Sequence, residues 1–167
     1  MPIDKILFSI YTATMLTYAY FHSPIGFLEL QSDGQALIAV QFTEAPTQAH
    51  SPDTILLRAI NQLTDYFSGE LTIFDLPLRL QGTRFQLAVW EQLLEIPYGQ
   101  TRTYGTIAQA LGNPKAVRAV GAANAANAIA IIVPCHRVIA AGEKMGGYAG
   151  GLWRKIWLLR HEGAILL

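Results

Sequence analysis

The sequence predicts an α+β protein. A small N-terminal α/β domain, an antiparallel sheet with one helix, spans residues 1–81, and a mainly helical C-terminal domain with a helix-turn-helix spans residues 82–167. Three observations predict it. Apolar runs around tight-turn signals dominate residues 17–42, the signature of paired strands. From residue 83 onward the apolar residues recur at helical spacing. The charge also divides: residues 1–81 carry three basic and eight acidic side chains, residues 82–167 nine and four. The halves are therefore net acidic and net basic, which suggests two domains and a polyanionic partner for the second. Ordinary solvated surface charge is the alternative.

The elements follow in order. "GFLEL" and "ALIAVQF" flank "QSDGQ", where Asp33-Gly34 is a hairpin signal. "SPIG" marks an earlier turn. Residues 43–53 are a loop. In "DTILLRAINQLTDYFSG", Ile55, Leu56, Ala59, Ile60, Leu63 and Phe67 form one apolar face, with Asp53 as N-cap and Gly69 as the stop. Residues 70–81, with Pro77, make an extended connector. "TRFQLAVWEQLLEIP" places Phe85, Val89, Leu93 and Ile96 on one face before Pro97 ends it. "TYGTIAQALG" is a shorter helix. Gly112 fits its C-terminal cap, Asn113 the N-cap of the next helix and Pro114 its first position. Two helices around a Gly-Asn turn read as a helix-turn-helix, or as an ordinary helical hairpin. The second helix, "PKAVRAVGAANA", is rich in small residues, which suit close helix packing or insertion into a narrow DNA groove. Ile129, Ile131, Ile132 and Val133 read as a buried extended segment leading to Cys135. "AAGEKMGGYAGG" is a glycine-rich loop without the spacing of a phosphate-binding loop. "GLWRKIWLLRHEG" closes the chain as an amphipathic helix.

The composition excludes several classes. The chain of 167 residues is 51% hydrophobic and only 14% charged, so it is globular rather than disordered. One cysteine rules out an intrachain disulfide framework and any zinc site with two thiolates from this chain, and it favours a reducing cytoplasm. "KILFSIYTATMLTYAYF" is too short and too rich in Thr, Tyr and Ser to span a membrane, and lacks a clear signal-peptide cleavage pattern.

The one thiol, Cys135, stands in "IIVPCHRVIAAG". A lone cysteine is usually a small buried hydrophobe. A neighbouring imidazole would make it reactive, but adjacent residues on a strand face opposite ways. His136 can therefore act on Cys135 only if the chain turns, as Pro134 allows, or through a water. A third group would orient the histidine. Glu162 in "RHEG" is the leading acid, with Glu91, Glu95 and Glu143 as alternatives.

"IIVPCHRVI", with "TYGTIAQALGNPKAVRAVGAANAANAIA" upstream and "GGYAGG" and "LLRHEG" downstream, strongly resembles the O6-alkylguanine-DNA alkyltransferases, the methylated-DNA–protein-cysteine methyltransferases. The likeness is dense over residues 82–167 and looser over 17–81, through "SPIG" and "DYFSGEL". It implies a ribonuclease-H-like N-terminal domain and a C-terminal domain for DNA binding and alkyl transfer. It also implies direct-reversal DNA repair: duplex DNA bound through the minor groove, the O6-alkylguanine flipped out, and the alkyl group moved irreversibly to Cys135, once per molecule. O4-alkylthymine is a possible second substrate. By position, His136 is the base acting through water, Glu162 orients it, Asn127 braces the active-site turn, and Tyr104 donates to the guanine ring. Arg118 is the finger that fills the gap in the duplex, with Lys115, Ala119 and Ala123 also on the DNA side. Val138, Tyr148, Ala149 and Gly150 line the alkyl and base pocket. No cofactor or metal is implied, nor a membrane, and the protein would act as a monomer. Ala149 replaces the serine of the common "GYSGG" form, and Ala122 a common glycine. Family chains usually start near Met15, so residues 1–14 would be an extension. The competing readings are a non-catalytic sensor of alkylated DNA, a helix-turn-helix regulator, and a Cys–His hydrolase.

Overall fold

The computed structural model describes residues 15–166, so the expectations for residues 1–14 lie outside the described residues. Strands β1 (Thr17–Ser23), β2 (Gly26–Ser32) and β3 (Leu37–Thr43) form an antiparallel sheet in chain order. Both hairpin signals act as turns. Ser23 Oγ donates to the Gly26 carbonyl and accepts from Ile25 N–H. At the second turn Asp33 Oδ1 accepts from Gln35 and Ala36, and Gly34 takes φ 84°, which glycine adopts without strain.

Helix α1 (Thr54–Ser68) packs on this sheet. Asp53 caps it by accepting from Leu56 N–H, and Gly69 ends it at φ 83°. Leu56, Ala59 and Leu63 are fully buried. Each such leucine contributes about 1.5–3 kcal/mol relative to exposure. Tyr66 shares that buried face. The connector does more than link the halves. Leu37 donates to Pro77 O and accepts from Arg79 N–H, so residues 77–79 pair with the free edge of β3.

The second half holds α2 (Arg84–Leu94), β4 (Arg102–Thr103), α3 (Tyr104–Ala110), α4 (Val117–Ala125), β5 (Val138–Ile139) and α5 (Leu152–His161). A Thr83/Gln86 capping box starts α2. Its buried face is Val89, Trp90 and Leu93; Phe85, expected on that face, is 36% exposed. The helix after Gly112 also starts later than expected. Asn113 to Ala116 form a separate turn, closed by Ala116 N–H on Asn113 O, and α4 begins at Val117 without a side-chain cap. Asn113 is thus a turn residue. A β4–β5 parallel pair, not foreseen, ties the start of α3 to the chain just past Cys135.

The apolar run before Cys135 is not an extended segment. Ile131 takes φ 71°, a genuine outlier for a β-branched residue, and Ile132 N–H donates to Ala130 O across it. Such strain costs on the order of 1–3 kcal/mol and persists where the surroundings hold it; Ile131 is 1% exposed. One core joins the halves: Leu28, Val40 and Leu63 from the first belong to the same apolar cluster as Val89, Ile107 and Leu158 from the second. Among the described residues no helix is long and apolar enough to cross a membrane.

Candidate active site

Pro134 answers why the thiol sits where it does. Its φ −82° and ψ 62°, with Cys135 N–H donating to Val133 O at 2.8 Å, make an inverse γ-turn. A short 3-10 turn, Cys135–Arg137, follows at once. Successive residues therefore do not alternate as on a strand. Asn127 binds the bend from within. Its Oδ1 accepts from Ile129 N–H at 3.0 Å, and its Nδ2 donates to Val133 O at 2.8 Å and to Cys135 Sγ at 3.2 Å. Asn124 Nδ2 donates to Cys135 O at 3.2 Å.

His136 is fully buried behind the thiol. Its Nε2 lies 2.8 Å from Glu162 Oε1, so of the four acids weighed for this role it is Glu162 that meets the imidazole. The carboxylate also accepts from Arg137 Nε at 2.8 Å and Nη2 at 3.0 Å, and from the Tyr66 hydroxyl at 2.7 Å. Burial would raise the Glu162 carboxyl, but the bonds and charges of His136 and Arg137 outweigh it and hold it at about 2. Burial lowers His136 below the ordinary histidine value, against the pull of Glu162. The imidazole is then neutral, and next to an ionised carboxylate its Nε2 carries the proton. Nδ1 is left as an acceptor, buried and without a protein partner. That is the state of a base. The thiol itself is pushed up by burial, opposed by the Asn127 N–H and the Lys155 charge.

Cys135 opens onto a pocket of about 710 Å³. Tyr148, Ala149 and Gly150, three of the four residues expected in the pocket lining, line it together with Tyr104 and Asn127. The Tyr104 ring lies between Gly121 and Gly146, and a methyl at Gly146 would come within 3.1 Å of it. Burial and the nearby Cys135 push the Tyr104 and Tyr148 hydroxyls up. Val138 departs from expectation. It is fully buried and does not line the pocket, and its carbonyl is taken by Lys155 Nζ at 2.6 Å. Lys155 is itself fully buried, and burial lowers it to about 8.

On α4 the expected DNA-side residues separate. Arg118 and Ala119 are exposed on the helix, and Lys115 is exposed in the preceding turn. Ala123 is a correction: it is 3% exposed, and its carbonyl accepts from Trp90 Nε1 at 2.8 Å. It packs α4 against α2. Ala122, Ala125 and Ala126 are exposed instead.

Sequence reasoning missed Tyr66, Arg137, Asn124 and Lys155. Two had a signal. Tyr66 continues the apolar stripe of Leu56, Ala59 and Leu63, and Lys155 sits one turn before Leu158 and Leu159, where a lysine is out of place. Nothing local marked Arg137 or Asn124. Two of the nine cations of the basic half, Arg137 and Lys155, thus serve the interior rather than the surface. Among the described residues no group of three or more His, Cys, Asp or Glu could hold a metal ion.

Comparison with known proteins gives a consistent result. Residues 84–164 match the model of the 6-O-methylguanine DNA methyltransferase DNA-binding domain, and residues 16–80 that of the same family's ribonuclease-like domain. A methylated-DNA–protein-cysteine methyltransferase of Methanosarcina acetivorans is 52% identical over 153 residues, 88% of this chain and 98% of that protein. One from Mycobacterium bovis is 51% identical, over 89% and 93%. The crystal structure of the Mycobacterium tuberculosis O6-methylguanine methyltransferase superposes with TM-score 0.81 at 49% identity, covering 90% of this chain and 94% of that one. A structure of the Mycobacterium tuberculosis OGT in complex with DNA gives 0.82, covering 89% and 93%. Matched along both halves and about half identical to such relatives, this chain belongs to the 6-O-methylguanine DNA methyltransferase family, the methylated-DNA–protein-cysteine methyltransferases of DNA repair.

Proposed function

We propose that Cys135 is the alkyl acceptor, and that the substrate is an O6-alkylguanine flipped out of duplex DNA held against α4 by its minor groove. The sulfur attacks the alkyl carbon, the carbon–O6 bond breaks, and its electron pair passes to the base as guaninate, which leaves as keto guanine once a ring nitrogen takes up, through water, the proton that the thiol gave up. The thiol proton passes through water to His136 Nδ1. The imidazolium is stabilised by Glu162, which Arg137 and Tyr66 hold in place. Tyr104 donates to the guanine ring, and the base edge meets the chain at Tyr148, Ala149 and Gly150. Because a thioether is not cleaved, each molecule reacts once.

The DNA contacts follow from α4. Its exposed face offers Arg118 among alanines, Ala119 and Ala122 included, so the helix backbone can approach a narrow groove. Minor-groove readout is degenerate, which suits a protein that inspects any sequence. Residues 82–167 bind and react; residues 1–81 support them. A monomer in a reducing cytoplasm, where the thiol stays free, suffices for this chemistry.

The observation that carries the reading is the arrangement around the thiol: Cys135 opens on a pocket while His136 behind it is locked to Glu162 with Nδ1 free. Mixing the protein with duplex DNA containing O6-methylguanine and weighing it intact tests this. One methyl per molecule, mapped to Cys135, is expected. An unmodified protein, or methyl on another residue, would overturn it.

A further inference from the structure

The pocket of Cys135 is not built by the C-terminal half alone: Val40, Gln41 and Phe42 of β3 also line it. The strand reaches the site because Val40 N–H donates to Ala128 O and Val40 O accepts from Ala130 N–H, both at 2.9 Å. Alternate residues on a strand share a face, so the Phe42 ring follows buried Val40 toward the second half.

The ring is clamped. The Arg154 guanidinium carbon lies 4.4 Å from its centroid. That guanidinium donates to Ile25 O and Gly150 O, both at 2.7 Å, and its central carbon also lies 4.7 Å from the Trp153 ring centroid. Phe42 meets the Tyr148 ring edge-on, with centroids 6.5 Å apart. Between them lies Gly150, where an added methyl would come within 2.7 Å of Phe42 and 2.8 Å of Tyr148. This wall has no slack, and moving the ring would break a cation–π contact whose cation is held by two carbonyls.

We propose that Phe42, clamped by Arg154, is a specificity-determining residue: it walls the pocket beside Tyr148 and Gly150 and limits the size of the alkyl group that can reach Cys135. This rests on the reading of Cys135 as the acceptor. Methyl fits within the wall; a benzyl group competes with the Phe42 ring for the same space.

The test uses the whole protein and two duplexes of identical sequence, one carrying O6-methylguanine and one O6-benzylguanine. Intact mass gives the rate of each transfer, and the readout is the benzyl-to-methyl ratio, which a general loss of stability would not shift in one direction. Phe42→Ala, which removes a whole ring, is expected to raise that ratio by at least about tenfold, the lower end of what a single methylene is worth in an apolar pocket. Phe42→Leu, the alternative if the alanine variant does not fold, should raise it less, and Phe42→Trp should lower it. A ratio unchanged across the variants, or one that falls in Phe42→Ala because the ring was stacking on the alkyl group, overturns the proposal. Uptake of methyl by a Cys135→Ala protein would instead refute the acceptor reading, whatever the ratio.

Discussion

A thiol that burial holds protonated is a weak nucleophile, and Cys135 is both buried and without a direct bond to an imidazole. With Cys135 as the proposed acceptor, reactivity would come from proton removal at the moment of attack rather than from a standing thiolate. His136 has the state for it, neutral with Nδ1 free. The sign of the pH dependence follows. His136 is lowered by burial, so Nδ1 stays unprotonated below the ordinary histidine value of 6.5. Single-turnover transfer should hold its rate down through pH 6.5 and fall only at lower pH. A stopped-flow profile that instead climbs steadily toward and past pH 9 would mean that thiolate population sets the rate. Cys135→Ala and Cys135→Ser should abolish transfer while duplex binding, measured by fluorescence anisotropy, changes little, because on the proposed reading affinity comes from phosphate contacts elsewhere. The sequence made Cys135, His136, Glu162 and Asn127 legible because their spacing is a family motif. Arg137 was not legible: its task, a two-pronged bond to Glu162 and a third to Ile96 O, exists only once residues distant in sequence meet.

At the scale of elements, α4 shows both what a sequence pattern reveals and where it stops. The small residues announced a close approach, but helical phase divides them, with Ala123 inward against Trp90 and Ala119 and Ala122 outward. The apolar run of residues 129–133 was misleading for a similar reason. A short buried run has no period to distinguish strand from turn, and the left-handed Ile131 is dictated by the Asn127 bonds rather than by its own preference. Arg118 on the exposed face of α4 allows two readings that experiment separates. If it only neutralises phosphate, Arg118→Lys should be nearly silent and Arg118→Ala should weaken all DNA binding and its salt dependence. If it fills the gap left by the flipped base, planar shape matters more than charge. Unstacking costs a few kcal/mol, so Arg118→Ala should then slow transfer from alkylated duplex yet scarcely change reaction with free O6-benzylguanine, which needs no flipping. Equal slowing on both would show that Arg118 supports the site's fold instead.

At the scale of the molecule, the two halves predicted from charge are joined more tightly than the sequence suggested. The Tyr66 hydroxyl, from α1, donates to the same Glu162 oxygen that receives His136, and His161 Nε2 donates to Tyr66 O at 2.7 Å. Along the same seam Trp157 stacks on His161, and the Phe67 ring tilts against Trp157. Composition could place a boundary near residue 81, but only the folded chain shows that a buried carboxylate in one half is completed by the other. Glu162 is held at about 2 against an ordinary 4.5. A depressed carboxyl stabilises the fold above its ordinary value, and that stability is lost as pH falls from about 4.5 toward about 2; it amounts to roughly 3 kcal/mol. His136 acts in the same direction, since its lowered value makes proton uptake below 6.5 favour the unfolded chain. Acid should therefore unfold both halves together. Removing the Tyr66 hydroxyl takes a donor from the charged form of Glu162, which raises its folded value; the loss then still begins near the ordinary value but is smaller and ends at higher pH. Tyr66→Phe keeps the ring and its packing, so its cost should be about 1–3 kcal/mol at neutral pH, the penalty for one missing bond to a buried group. Calorimetry from pH 7 down to pH 3 should show one transition for both proteins, with the variant melting lower at neutral pH and its acid decline starting near the same pH but shallower, so that the gap to the parent narrows as the pH falls. Two separate transitions, or a variant that matches the parent at every pH, would show that the halves are stable independently and that the Tyr66–Glu162 bond does not join them.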